Sequence, residues 1–212
     1  MKNNYDNIAV VYDFLSRLVF GKAQVHLQMD LLKHILPNSR MLIVGGGSGW
    51  ILEKLAQQYP QGLEITYVEI SAKMLNLSRK RNCGHHKVTF IHSAIEDFHI
   101  EEAFDFIMTA FLFDNFSESR ASLVFEALHA KLKLSGCWLF ADFSMLHAKN
   151  IFWKKILLKL MYAFFKCLCN VEANRLVNME KYFYLYHYEM VVYYVRYAGF
   201  MKSAVYKKTN RN

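Results

Sequence analysis

Proline is nearly missing from this chain: Pro37 and Pro60 are the only two among 212 residues. Nine glycines are too few for a flexible linker or a low-complexity segment, and no repeat is visible. With 54% apolar residues the chain reads as one domain with ample core material. No uncharged apolar run approaches the roughly 18 residues of a membrane-spanning helix. Asp13 and Arg17 interrupt the first apolar stretch, so no secretory leader is expected. Cysteine is sparse and forms no C-x-x-C; Cys167 and Cys169 stand in an apolar segment where burial is expected over metal binding. A reducing, cytoplasmic compartment follows as an expectation. Acid is scarce at one end only. Residues 1–146 hold 14 Lys/Arg and 15 Asp/Glu (−1), whereas residues 147–212 hold 12 and 3 (+9). That last third also carries 15 of the 33 aromatics, an asymmetry that bears on partners rather than on fold.

What glycine there is, is concentrated. Met41-Leu42-Ile43-Val44 runs into Gly45-Gly46-Gly47-Ser48-Gly49, followed by apolar residues at helical spacing from Trp50. This predicts a buried strand, a tight turn and a helix. Glycine permits φ > 0 and close approach of a ligand, and the helix end supplies free N–H groups. The next apolar run, Glu64 to Glu69, ends on an acid about twenty residues past the turn, where a carboxylate can accept both protons of a ribose diol. Turn and acid together point to an adenosine-containing ligand. The dinucleotide pattern G-x-G-x-x-G/A fails at its third small residue, where Trp50 stands. The spacing is G-x-G-x-G: Gly45, Gly47, Gly49.

That spacing resembles motif I of the class I S-adenosylmethionine (SAM)-dependent methyltransferases, within them the ubiquinone/menaquinone-type C-methyltransferases. The resemblance covers roughly Tyr5 to Phe143. Val68-Glu69-Ile70-Ser71 with Met74-Leu75 is similar to motif II, Phe104 to Ala110 to the fourth-strand motif, and Leu132-Lys133-Leu134-Ser135-Gly136 to the turn before strand five. Val11-Tyr12-Asp13 resembles the family's lead-in. Three positions depart: Ile43 replaces an acid on strand one, Ser93-Ala94 replaces Gly-Asp after strand three, and Leu134 replaces a proline. An acid for the adenine amino group is thus missing from its usual place. The resemblance implies SAM as cofactor, with Tyr12, Gly45, Gly46, Gly47, Gly49, Glu69, Ile70, Met74, Ser93, Ala94, Ile95, Thr109 and Ala110 as its binding residues.

In chain order, helices are expected over Asn7–Phe20 and Lys22–Leu36. By the resemblance residues 1–38 form a helical lid, 39–143 the SAM-binding core, and 144–212 the substrate-side helices and last strand. Strands over Arg40–Val44, Glu64–Glu69, Val88–His92, Asp105–Thr109 and Cys137–Asp142 alternate with helices over Gly49–Tyr59, Ala72–Asn82 and Glu118–Leu132. Alternation of this kind predicts a Rossmann-like, doubly wound α/β sheet, mostly parallel, with helices on both faces. A C-terminal antiparallel edge strand is expected at Met201–Tyr206, since a dozen residues after Phe200 suffice for one strand but not comfortably two. Gly45–Gly49, Glu69, Ser93–Ile95 and Thr109–Phe111 all fall at strands' carboxyl ends, where such sheets bind ligands. His92 and His85-His86 lack a third ligand at metal spacing. Asp114-Asn115 fits either a substrate contact or the N-cap of the helix near Ser117–Glu118. Over Asn150–Cys169, Lys155, Lys159, Tyr162 and Lys166 share one narrow helical face and most of the rest is apolar. That suits a core helix with a lysine-lined solvent face, or an interfacial helix touching lipid or a greasy substrate.

Function is expected to be SAM-dependent methyl transfer to a small aromatic or lipophilic acceptor, as O- or C-methylation. Such chemistry needs no metal and sometimes no general base; Asp114, His147 and Tyr12 are the candidates for one. A nicotinamide-dependent oxidoreductase is disfavoured by Trp50. An RNA methyltransferase is motivated by the basic, aromatic last third, but no RNA-binding signature accompanies it. The expected partner is a small-molecule acceptor, with nucleic acid disfavoured, and the apolar C-terminal helices admit a peripheral membrane contact or a homodimer.

Overall fold

β1 (Arg40–Val44) is the strand on which the sheet is built. In this computed structural model, residues 6, 19–145, 151–169 and 173–210 are described. The chain runs α1 (Ala23–Leu32), β1, α2 (Trp50–Gln58), β2 (Gln61–Glu69), α3 (Ala72–Ser78), β3 (His85–His92), β4 (Phe104–Ala110), α4 (Glu118–Lys131) and β5 (Leu132–Phe143). It continues with α5 (Ile151–Cys169), α6 (Glu180–Leu185), β6 (Tyr188–Arg196) and β7 (Met201–Lys208). The sheet order is β3-β2-β1-β4-β5-β7-β6. β1 pairs in parallel with β2 on one side and β4 on the other. The chain therefore winds outward from β1, returns to β4, and leaves a crevice at the β1/β4 boundary where ligands of such sheets bind.

Period-2 alternation along β1 sends Leu42 and Val44 to one layer and Met41 and Ile43 to the other, and all four are buried. The first layer holds α4 and α6 around Phe125, Trp138 and Phe183. There Phe125 stacks on Trp138 at 4.9 Å, and the indole N–H donates to Thr109 Oγ1 at 2.9 Å. The second layer holds Leu31 and Leu32 of α1 with Leu52 and Leu55 of α2. A third cluster, Phe20, Leu27, Phe143, Phe200 and Met201, sits where β5 ends and β7 begins, under the inner face of α5.

The mostly parallel sheet with an antiparallel element at its C-terminal edge is the expected one. β7 runs antiparallel to both β5 and β6. The residues after Phe200 make one strand, and the hairpin is completed by β6, drawn from the tyrosine-rich stretch before it. Two positive-φ residues in sequence, Tyr197 and Ala198, turn the chain between the two strands. The helix expected to reach Asn82 stops at Ser78, whose Oγ donates to Leu75 O at 2.8 Å. The expected helix Asn7–Phe20, and Tyr5 and Tyr12 with it, lies almost wholly outside the described residues.

Candidate active site

The glycine turn folds as it does because two of its residues are hemmed in and one is not. Gly45 (φ 66°) donates to Val68 O at 2.9 Å, and a Cβ on it would come within 2.9 Å of Leu112 Cδ1. A Cβ on Gly46 would sit 2.4 Å from the Tyr67 hydroxyl, which itself donates to Gly47 O at 2.9 Å. Gly47 (φ 63°) has nothing within 4 Å of the position a Cβ would take. It faces open space, so its backbone is approachable.

Glu69 closes the other side of that space. Its Oε2 accepts from Gly47 N at 3.0 Å and its Oε1 from Ser71 N at 2.8 Å. Only 5% of the residue is exposed. Burial pushes the carboxyl up, against the pull of the Ser71, Gly47 and Ile70 N–H groups. The Gly47 and Ser71 bonds take two of the carboxylate's roughly four lone-pair sites and leave room for a further donor. Beside it, Ser71 caps α3 by accepting from Met74 N at 3.1 Å and donates to Asp6 Oδ1 at 2.5 Å. Asp6 is thereby held next to the turn.

These groups wall one cavity at the carboxyl ends of the strands. Of the residues expected to bind cofactor, Gly45, Gly46, Gly47, Glu69, Ile70, Met74, Ser93, Ala94, Ile95 and Ala110 line it. Gly49 and Thr109 do not. Gly49 (φ 78°) backs onto α3, where a Cβ would meet Ser78 Cα at 2.7 Å, so it is a packing glycine. Thr109 is fully buried as the acceptor for Trp138. Tyr12 lies outside the described residues. The wall also includes Trp50 and Asn115, and, not singled out by sequence, Gln24, Val25 and Gln28 of α1, Leu112, Phe116, Glu96 and Arg120. Glu96 is the informative addition. It pairs with Arg120 through Oε1, while its Oε2 is buried with no hydrogen-bond partner. The acid missing at Ala94 thus reappears two residues on, in the 3-10 turn Ile95–Asp97.

A second cavity opens beyond the loop after β4. It is lined by Asp114, Phe140, Asp142, Phe143, Ser144, Met145, Leu176, Val177, Asn178, Met179 and Lys202. Asp142 Oδ2 accepts from Phe113 N at 3.2 Å and Oδ1 from Phe143 N at 2.7 Å. Ser117, not Asp114, caps α4 by accepting from Arg120 N at 3.4 Å. Asp114 instead lines this cavity with Asp142, its Oδ1 accepting from Asn115 Nδ2 at 2.9 Å. Burial raises both carboxyls, Asp114 further by repulsion from Asp142, and Asp142 reaches about 7 despite its N–H donors and Lys202. With Asp142 raised to about 7, the repelling pair retains a proton near neutrality. The Tyr162 hydroxyl, on α5, is buried and unpartnered and is pushed upward, first by burial and then by the same two acids.

Residues 41–136 match the methyltransferase-domain family. A malonyl-[acyl-carrier protein] O-methyltransferase from Priestia megaterium is 27% identical over 68% of this chain and 51% of its own length. A ubiquinone/menaquinone biosynthesis C-methyltransferase, UbiE, from Wigglesworthia glossinidia brevipalpis is 26% identical over 88% of this chain and 74% of its own. Among solved structures, the N-methyltransferase NodS of Bradyrhizobium japonicum with S-adenosylhomocysteine superposes with a TM-score of 0.61 at 13% identity, covering 88% of this chain and 86% of that one. A chain from the complex of the Haloferax volcanii Trm112 methyltransferase activator with a methyltransferase gives 0.72 at 11% identity, covering 99% and 100%. Residues 41–136 thus carry a methyltransferase domain, and the fold is the one shared by SAM-dependent methyltransferases. SAM is the family's cofactor. The chain spans about half the length of the O-methyltransferase relative and about three quarters of the C-methyltransferase one.

The residues present fit SAM. Gly47 leaves the approach that a Cβ would fill, Glu69 offers two oxygens to a diol, and the orphaned Glu96 Oε2 awaits a donor.

Proposed function

We propose that this methyltransferase acts on a small aromatic or lipophilic acceptor, methylating oxygen or carbon, with the acceptor in the second cavity. SAM when bound supplies a methyl group on a sulfonium, already activated for transfer. The chain's own residues then have three tasks. Gly45–Gly47, Glu69, Ile70, Met74 and Ser93–Ile95 hold the cofactor, the Glu69 carboxylate accepting from the ribose hydroxyls and Glu96 Oε2 from the adenine amino group. Phe111 of the first cavity and Phe143 of the second touch, with ring centroids 5.2 Å apart, and flank the point where the acceptor reaches the methyl group, excluding water there. Asp114 and Asp142 take up the proton of an acceptor hydroxyl or ring carbon. General-base help of that kind is worth about 10²–10⁴-fold.

The observation that carries this reading is the acid pair in a largely apolar cavity, one loop away from the first cavity. Phe140, Phe143, Met145, Leu176, Val177 and Met179 suit a flat apolar ring, and the acids suit its exchangeable proton. The segment after β5 supplies most of that lining, consistent with a substrate-side role for residues 144–212. Lys155, Lys159 and Lys166 line neither cavity and so do not steer the acceptor directly. The test is a turnover panel of phenols, quinols, amines and RNA, with products identified by mass. Methylated phenol or quinol is expected; methylation of amines or RNA alone would overturn the acceptor assignment.

A further inference from the structure

Helix α5 buries the side that faces the third cluster: Leu157, Leu158 and Met161 pack there, and the fully buried Lys154 donates to Ala198 O at 2.5 Å. Its opposite side is not polar. Phe152 is 80% exposed, Leu160 64%, Ile156 44% and Phe164 42%. Those four recur every fourth residue and form a ridge along the helix. Lys155, Lys159 and Lys166 are exposed on one flank of the ridge, and none makes an ion pair among the described residues. The sequence of α5 contains no acid. No helix among the described residues is long and apolar enough to cross a membrane.

We propose that this outer face of α5 docks on an anionic lipid surface, its apolar ridge entering the headgroup boundary and its three lysines reaching the phosphates. A helix lying in that plane needs such a pairing of apolar and cationic faces, and cations beside exposed phenylalanine and leucine are placed for both. A second copy of the chain fits the same face poorly. An antiparallel two-fold contact would set each lysine row against its own copy, with no acid on either helix to offset it. α5 also covers the end of the sheet where Phe143 lines the second cavity, so docking would bring that cavity's surroundings to the lipid. The proposal stands whether or not the acceptor is lipophilic.

The experiment is flotation of the full chain with phosphatidylcholine vesicles, with and without phosphatidylglycerol, at low and high salt. Binding only to the phosphatidylglycerol vesicles, weakened by salt, is expected. Changing Lys155, Lys159 and Lys166 together to Gln should loosen it by on the order of 100-fold. Phe152→Ser with Leu160→Ser should loosen it at least tenfold, while circular dichroism and SAM binding stay as in the wild type. The proposal is overturned if the wild-type chain floats with neither vesicle, or if the Gln variant binds as tightly as wild type. Light scattering gives a third contrary outcome: a dimer that Phe152→Ser and Leu160→Ser dissociate would assign the face to a second copy.

Discussion

The two cavities are built by different means. The first is mostly backbone and local motif: a glycine turn, the last residue of β2 and the loop after β3, all following directly from parallel strands that end in register. The second is mostly side chains brought together over long range. Asp142 from β5 meets Asp114 from the loop after β4 and Lys202 from an antiparallel strand. Their electrostatics differ accordingly. Glu69 is buried but receives backbone N–H donors at both oxygens, with room left for a ligand. Asp142 is buried and Asp114 half-buried beside it, and the two repel one another. A group with unspent acceptor capacity suits recognition of a constant ligand. A pair that holds a proton near neutrality suits proton transfer with a variable one.

The largest effect expected is at the first cavity. Gly47→Val places a branched side chain in the open space over the turn and forces it to φ 63°. SAM affinity should fall by more than about 10³-fold, with a stability loss of only about 1–2 kcal/mol from the left-handed backbone. Calorimetric titration and a thermal melt read the two separately. Wild-type affinity in that variant would mean the ligand does not cross this turn.

Asp114→Asn should sharpen the contrast from the other side. Methyl transfer should drop about 10²–10⁴-fold in kcat/KM while SAM affinity stays within about twofold. A variant that loses cofactor binding as well would show that the two cavities are not separate in function.

A smaller effect is expected in stability. Asp142 has its folded pKa raised from 3.8 to about 7, so the folded state binds the proton more tightly than the unfolded chain. That contribution is fully present below the unfolded pKa and is lost as pH rises through the folded value. Between about pH 5.5 and 7 that loss is about 2 kcal/mol, so the wild-type Tm should fall by roughly 4–8 °C there and level off above the folded value. Asp142→Asn should flatten that slope. An unchanged slope would show that Asp142 does not hold the proton.

How much of this could be seen in the sequence follows the same division. β1, the turn and Glu69 were legible because each is a local pattern with a physical cause. Gly47 and Gly49 look alike in sequence, yet one faces the cavity and the other relieves a clash with Ser78, a contact between separate helices. Glu96 was not legible because its position depends on a 3-10 turn that shifts the acid two residues past its usual place. The Asp142–Lys202 pairing depends on β7 inserting antiparallel between β5 and β6, which no local signal announces. The lysine face of α5 was legible, but the exposure of Phe152, Ile156 and Leu160 beside it was not. An apolar residue carries no mark in the sequence saying whether its neighbour is core or solvent. Tyr12 and His147 lie outside the described residues and gain nothing from the geometry.

The central claim is that Glu69 accepts from the cofactor's diol at the open end of the glycine turn. Calorimetric titration of SAM into wild type and Glu69→Ala tests it most directly. Two charge-assisted hydrogen bonds of about 1.5–3 kcal/mol each predict a loss of roughly 10²–10⁴-fold in affinity. Because burial raises the Glu69 carboxyl and diol donors favour its charged form, wild-type affinity should also weaken as pH falls through that raised value, and the Ala variant should lack this dependence. Equal affinity in the two proteins, with the variant folded, would contradict the account.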